Sequence, residues 1–307
     1  MVNKILLWLL IINLSACGGN ENGQAFNEQH TITVTDFTGA TVSLKKPAQR
    51  IIALAPHIVE NVYTAGAGNK LVGAVAYSDF PEQAKLLPRV GGYSNINIEK
   101  ILELKPELII AWKSAISEAN ILTIKSLGFP IYIDQPDTLS DLSKSIKDIG
   151  MLTGHTEQAT HAANKYLVDL EKTKKKYQLQ AKVRTFYQVW NQPLRTITGK
   201  HIISDAIKIC GGVNVYADEK TVSPIINIES LLKRNPQAII ASGLSDKPPE
   251  WLNDWKQWPS LQAVRNNNLF FVNPDHIQRH TIRVLLGINS ICQQLDEARN
   301  KANQKQS

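Results

Sequence analysis

The sequence predicts an α/β protein of two Rossmann-like lobes, each built on a mostly parallel sheet, with a single long backbone helix joining them. Three observations carry this reading. Short apolar runs bounded by turn residues alternate with amphipathic stretches, the pattern of parallel strands covered by helices. A segment at 96–111 is echoed at 226–241. Between the two copies, Thr156 to Gln180 contains neither Pro nor Gly and sets Ala159, Ala163, Tyr166, Leu167 and Leu170 at helical spacing.

From the N-terminus, Lys4 precedes an apolar run from Ile5 to Ile12 that is too short for a finished membrane span. Leu14, Ser15 and Ala16 then lead to Cys17, so residues 1–16 read as a secretory signal peptide. Cys17 in that position looks like the lipidated cysteine of a bacterial lipobox. Residues 17–30 form the lipidated cysteine and its tether, Gly18 to Asn27 being rich in Gly and Asn. The first lobe is expected over 31–154. It opens with alternating residues from Ile32 to Leu44 around Asp36-Phe37-Thr38-Gly39, a hairpin pattern. Arg50 to Ala55 reads as a buried strand that breaks at Pro56, Val59 to Ala65 as a helix ended by Gly66, and Leu71 to Val75 as the next strand.

The echo follows. Both copies carry the frame Ile-Asn-Ile-Glu, then Leu, then Pro, then Ile-Ile-Ala at one spacing. Asn97 and Asn227 are suited to cap a helix. Glu99 and Glu229 then fall in the first turn, where negative charge suits the helix dipole. Pro106 and Pro236 separate helix from strand. The connector helix is expected over 155–181, the second lobe over 182–300 and a polar tail over 301–307. Two copies make two lobes of like build rather than a solenoid.

Composition narrows the function. Across 307 residues the net charge is +7, with a pI near 9.2. The densest basic run, Lys172 to Lys176, lies in the helical pattern and reads as a solvated face, so no nucleic-acid partner is expected. No Gly-rich phosphate loop, His-Glu-x-x-His or Gly-x-Ser-x-Gly motif occurs, so no enzyme is expected. With Cys17 assigned to lipid, Cys210 and Cys292 remain, and an isolated pair in an oxidising compartment is expected to form a disulfide, two buried thiols being the alternative. His57, His276 and His280 raise the question of a zinc site, with His155 and His161 set apart at the start of the connector. Exposed or hydrogen-bonded histidines are the simpler expectation, and no metal site is assigned.

Tyr77, Tyr93, Trp112 and Trp190 each lie just past the carboxyl end of an expected strand, the edge where open parallel sheets bind ligands. There they offer flat apolar area with polar tips to a large planar ligand, unless they merely cover the sheet ends. Trp251, Trp255 and Trp258, between Pro248 and Pro259, are expected in a small surface helix with a structural role.

Asp36-Phe37-Thr38-Gly39, the run Arg50-Ile51-Ile52-Ala53-Leu54-Ala55-Pro56 and Glu60 resemble the start of the periplasmic binding proteins for vitamin B12, haem and ferric siderophores, and the likeness extends over roughly 32–299. It implies a class III periplasmic binding protein fold. Several stretches resemble the cobalamin-binding branch: Ala76-Tyr77-Ser78-Asp79-Phe80-Pro81, Asn97-Ile98-Glu99, Ile110-Ala111-Trp112, Gly199-Lys200, Cys210-Gly211-Gly212-Val213-Asn214-Val215 and the region of Cys292. The resemblance implies that Tyr77 packs on a corrin, with Tyr93, Trp112 and Trp190 as further walls. It places Pro274, Asp275, His276, Ile277 and Gln278 against the ligand from the opposite lobe. It has Glu99 and Glu229 dock onto arginines of the two permease subunits of an ABC importer, and it pairs Cys210 with Cys292. Cobalamin is then transported cargo and not a cofactor, and the carrier is a periplasmic monomer held to a membrane by its lipid.

Departures keep other ligands open. Val222-Ser223-Pro224 lacks a tryptophan that the cobalamin branch can carry, and Tyr93 and His276 stand where larger aromatics can occur. The N-terminal hairpin is more usual in siderophore and haem binders, which are the alternative on this fold. A direct metal-ion receptor or metalloenzyme is the third reading.

Overall fold

A computed structural model describes residues 31–92 and 95–304. The expected signal peptide, Cys17, the tether and Tyr93 lie outside the described residues. The chain begins with a hairpin of β1 (Ile32–Thr35) and β2 (Thr41–Leu44), paired antiparallel. Asp36 fixes its turn: Oδ1 accepts from the backbone of Thr38 and Ala40, and Oδ2 from Ile133 N.

The first lobe continues through β3 (Ile51–Ala53), α1 (Pro56–Thr64), β4 (Leu71–Ala74), α2 (Ile98–Leu104), β5 (Leu108–Trp112), α3 (Glu118–Ser126), β6 (Ile131–Asp134) and α4 (Asp141–Thr153). The helix α1 starts earlier than the sequence suggested, because Pro56 occupies its first turn, where a missing N–H costs nothing. Next comes α5 (Thr156–Tyr177), of 22 residues. The second lobe holds β7 (Val183–Gln188), α6 (Ile202–Ile209), β8 (Gly212–Asn214), α7 (Ile228–Arg234), β9 (Ala238–Ala241), α8 (Gln262–Arg265), β10 (Leu269–Phe271), α9 (Pro274–Ile277) and α10 (Val284–Gln304). Residues 301–304, expected in the polar tail, continue α10.

The sheets are four-stranded and parallel, in the orders β4-β3-β5-β6 and β10-β9-β7-β8. Numbered within its own lobe, each has the order 2-1-3-4, so the halves share a topology as well as a sequence frame. Both faces of each sheet are buried, as βαβ crossovers require. Along β3, Ile51 and Ala53 face one core and Ile52 the other. Along β9, Ala238 and Ile240 face one side, Ile239 and Ala241 the other.

The echo is realised in matching local geometry. Asn97 Oδ1 accepts from Lys100 N at 2.9 Å, and Asn227 Oδ1 from Ser230 N at 2.8 Å. The helices end on left-handed residues before the prolines, Lys105 (φ 46°) and Asn235 (φ 41°). The orphan carbonyls of that last turn are met by arginines from the neighbouring strand region: Arg50 donates to Leu104 O at 2.6 Å, and Arg184 to Arg234 O.

The helix α5 spans about 33 Å at 1.5 Å per residue and serves both lobes. Ala159 and Ala163 pack in the first-lobe core, whereas Tyr166, Leu170 and Tyr177 pack in the second. Trp255 has the structural role expected of its segment. It sits in a 3-10 stretch at Glu250–Gln257 but is 5% exposed, packs edge-on to Phe186 and donates from Nε1 to Gln188 Oε1 at 2.7 Å.

Cys210, at the end of α6, is disulfide-bonded to Cys292 on α10 across 82 residues of sequence. Closing so long a loop restrains the unfolded chain. Replacing both cysteines by serine is therefore expected to lower stability by about 2–4 kcal/mol, read as a fall of roughly 5–10 °C in Tm. An unchanged Tm would show that the bond contributes nothing to the fold.

Candidate ligand-binding cleft

The shared strand order sets the site. In a 2-1-3-4 sheet the chain reverses direction between strands 1 and 3, and a crevice opens there at the carboxyl edge. In the first lobe that point lies between β3 and β5. His57 follows β3 and Trp112 ends β5, and their rings meet edge-on with centroids 5.1 Å apart. In the second lobe the corresponding point lies between β7 and β9, where Trp190 and Ser242 follow the strands.

The two edges face each other and touch. His280, from the segment after α9, sits 5.4 Å from His57 and 5.6 Å from Trp112, centroid to centroid. Asn61 Nδ2 donates to His280 O at 2.9 Å. On one side of this node the lobes are clasped by charge. Glu60 of α1, with only 2% of its side chain exposed, is bound by Arg279 at 2.9 Å and by Arg283 at 3.2 Å. Arg279 also pairs with Asp79 at 3.0 Å and Asp275 at 2.9 Å, and the Arg283 guanidinium lies 3.8 Å from the Phe80 ring centre. On the other side the gap widens into a cavity of about 350 Å³. Trp112, Ser114, Gln135 and Asp137 line it from the first lobe; Val189, Lys200, His201, Val222, Gln278 and His280 line it from the second. A larger groove of about 560 Å³ runs along α5 and α6 between Leu167, Leu170, Lys174 and Asp205, away from the carboxyl ends of the strands.

Burial controls the ionisation of the node. Desolvation, aided by His280 and Arg279, holds His57 well below the usual histidine value. Desolvation pushes His201 and His280 down to about 4. Asp134, fully buried behind His57, is pushed up to about 7 by the same cause, although Ser145 Oγ donates to it at 2.5 Å. Its Oδ2 lies 3.8 Å from His57 Nε2. Both groups shift toward their neutral forms, which weakens the contact as an ion pair. Burial also raises Glu60 despite its two arginines.

The expected site residues are distributed unevenly. Tyr77 stands in the left-handed region (φ 63°) with 74% of its surface exposed, free to meet a ligand. Trp112 lines the cavity, and its Nε1 is buried without a partner. Trp190 is 37% exposed, and its Nε1 donates to Gln192 O at 3.0 Å. Gln278 lines the cavity and donates to Ser242 Oγ at 2.9 Å. His276 is half-buried and Asp275 is held by Arg279. Pro274 and Ile277 are both buried, and Ile277 packs into the second-lobe core. Glu99 and Glu229 are exposed at the starts of α2 and α7, and no ion pair engages either among the described residues. The histidines do not assemble into a metal centre: among the described residues no group of three His, Cys, Asp or Glu side chains could hold a metal ion.

The charge clasp and the side cavity were not read from the sequence. Asp275, Arg279 and Arg283 do recur every fourth residue, a spacing that puts charges on one face of a helical segment, but nothing local pointed to Glu60 as their partner.

The sequence pattern of the periplasmic binding proteins matches residues 51–276. The chain belongs to that family. Among relatives of this binding protein, a vitamin B12-binding protein of Vibrio cholerae is 34% identical, over 95% of this chain and all of the relative. One of Yersinia pestis is 34% identical over 81% of this chain and 86% of its own length. The crystal structure of the periplasmic vitamin B12 binding protein of Vibrio cholerae superposes with a TM-score of 0.76 at 36% identity, covering 82% of this chain and 98% of that one. A periplasmic haem-binding protein of Vibrio cholerae gives a TM-score of 0.71 at 18% identity, covering 80% of this chain and 99% of that one, a likeness of fold alone.

Proposed function

We propose that this binding protein captures cobalamin in the gap between its lobes and delivers it to an ABC importer. The reading is carried by the rings at the carboxyl edge of the first-lobe sheet, His57 and Trp112 meeting at the switch point and an exposed Tyr77 following β4, with His280 and Gln278 of the second lobe lining the same gap as Trp112. That surface offers a large planar macrocycle flat apolar contact, with polar tips for its periphery. The curated relatives described above carry the same ligand in their names. Glu99 and Glu229, exposed at equivalent places in two lobes of one topology, supply paired acidic contacts for a two-fold symmetric permease. Lipid at Cys17 would hold the carrier at a membrane surface in the periplasm.

Isothermal titration tests the ligand. Purified protein is expected to bind cyanocobalamin at micromolar or tighter affinity and to give no saturable heat with haemin or ferric siderophores. Binding to one of these without binding to cyanocobalamin would overturn the assignment.

A further inference from the structure

The turn that ends the connector lies far from the cleft and carries chemistry that the fold leaves unused. Lys172, Lys174, Lys175 and Lys176 stand exposed in the last turns of α5, and Lys182 stands exposed just beyond them. Lys174 and Lys182 share the groove along α5 and α6 with Lys208, exposed at the end of α6. On the other side of α5, Lys172 and Lys176 line a second groove with Tyr177. Little acid offsets them. Asp169 is taken by Lys165 at 2.7 Å and Glu171 by Lys174 at 3.4 Å, and Asp205 is half-buried. Among the described residues no ion pair engages Lys172, Lys175, Lys176, Lys182 or Lys208. Cations suit a helix C-terminus, and that accounts for part of the cluster.

The dipole does not account for Leu179. It stands in the turn among these lysines and is 89% exposed. The turn around it is held in place. Gln178 N donates to Lys174 O at 2.9 Å and Gln180 N to Tyr177 O at 3.0 Å. Lys182 Nζ reaches back to Gln178 O at 2.6 Å, and Arg299 Nε donates to Ala181 O at 2.7 Å. A leucine fixed outward in a ring of ammonium groups has the character of an interfacial anchor. Its apolar tip can enter the acyl boundary while the lysines stay level with the phosphates. An acidic peptide would satisfy the lysines and leave the leucine in water, whereas an anionic lipid surface takes both.

We infer that this turn seats the second lobe on an anionic phospholipid surface. Topology then sets the orientation. The turn opens into β7 at the amino edge of its sheet, whereas Glu229 heads α7, whose start lies at the carboxyl edge. The six residues of β7 separate those edges by about 20 Å. A carrier resting on lipid through Leu179 therefore turns its carboxyl edge, with the ligand gap and Glu229, away from the bilayer. The contact is independent of which ligand the gap holds, and lipid at Cys17 serves only to bring the turn to a membrane.

A local probe tests it. The mature acylated protein with Gln180→Cys, labelled there with a polarity-sensitive fluorophore, is placed in vesicles. Cys210 and Cys292 are bonded to each other, so with Cys17 acylated the introduced thiol takes the label, and the mass of the labelled protein tells a missing lipid from a failed contact. A blue shift is expected in vesicles containing phosphatidylglycerol and none in pure phosphatidylcholine. Salt at about 0.5 M is expected to abolish the shift by screening. Each lysine at an anionic surface is worth about fivefold in affinity. Replacing Lys174, Lys175 and Lys176 together by glutamine is therefore expected to lower the ratio of seated to free turns at least about tenfold, and Leu179→Ser to lower it severalfold. Unchanged Tm values would confirm that the variants fold. Equal emission in the two kinds of vesicle, or a shift that salt and both sets of substitutions leave unaltered, would overturn the contact.

Discussion

Glu60→Ala is expected to lower the stability of the ligand-free protein by about 3 kcal/mol, a larger loss than any surface ion pair could account for. The carboxylate is almost wholly buried between the lobes and binds Arg279 and Arg283 at once. Its raised pKa indicates that desolvation outweighs the attraction of the two guanidiniums, so the cluster is not itself a net source of stability. The cost of the substitution arises from what remains. Two guanidiniums that are only 15% and 19% exposed would be left facing each other, and Arg283 would keep only the Phe80 ring. Arg279 retains Asp79 and Asp275, which places the loss at the lower end of the 3–5 kcal/mol typical of a broken buried pair. Urea unfolding measures it, and combining Glu60→Ala with Arg283→Met should recover part of the loss. A drop below about 1 kcal/mol would mean that the clasp behaves as an exposed pair.

Acidification is expected to destabilise the protein steeply just below pH 6.5. His57, His201 and His280 are held neutral by burial, with folded pKa values depressed below the unfolded 6.5. The unfolded chain therefore binds protons that the folded chain refuses, and stability is lost as pH falls from 6.5 toward the folded values. Each group contributes up to about 1.4 kcal/mol per pH unit. Asp134 acts in the opposite sense. Raised to about 7, it holds a proton that the unfolded chain sheds, and its contribution is present at low pH and lost as pH rises through 7. Glu60 and Asp205, also raised by burial, act in the same sense as Asp134. Three histidines against one aspartate leave a net slope of about 1–2 kcal/mol per pH unit between 6.5 and 5.5. Calorimetric Tm values at pH 7.0, 6.0 and 5.5 should fall in order, and the double variant His57→Gln, His280→Gln should flatten the trend. A Tm that holds or rises over that interval would contradict the account.

Both expectations arise where the lobes meet, and that is where sequence reading stopped. The side chains at the carboxyl ends of β4, β5 and β7 were legible, because a strand of apolar residues bounded by turn signals announces its own end. The disulfide was legible from cysteine arithmetic. The inward face of Ile277 was not legible, because a residue in a four-residue helix can face ligand or core and its local sequence does not distinguish them. Trp255 was expected to serve structure, but its partners were not legible. Its segment is polar enough to read as surface, but the packing of Phe186 and the amide of Gln188 take the indole inward.

Caps, turns and alternating burial act over a few residues, so the sequence by itself determined the elements, the doubled helix-strand unit, the Pro- and Gly-free connector and the edge of each sheet that would carry ligand. Tertiary structure alone decided which residues those edges bring together. Glu60 and Arg279 are 219 residues apart, as are Asn61 and His280. Their contacts exist only because α5 holds two separately folded sheets at one separation, and contacts across such a gap leave no periodic trace in the chain.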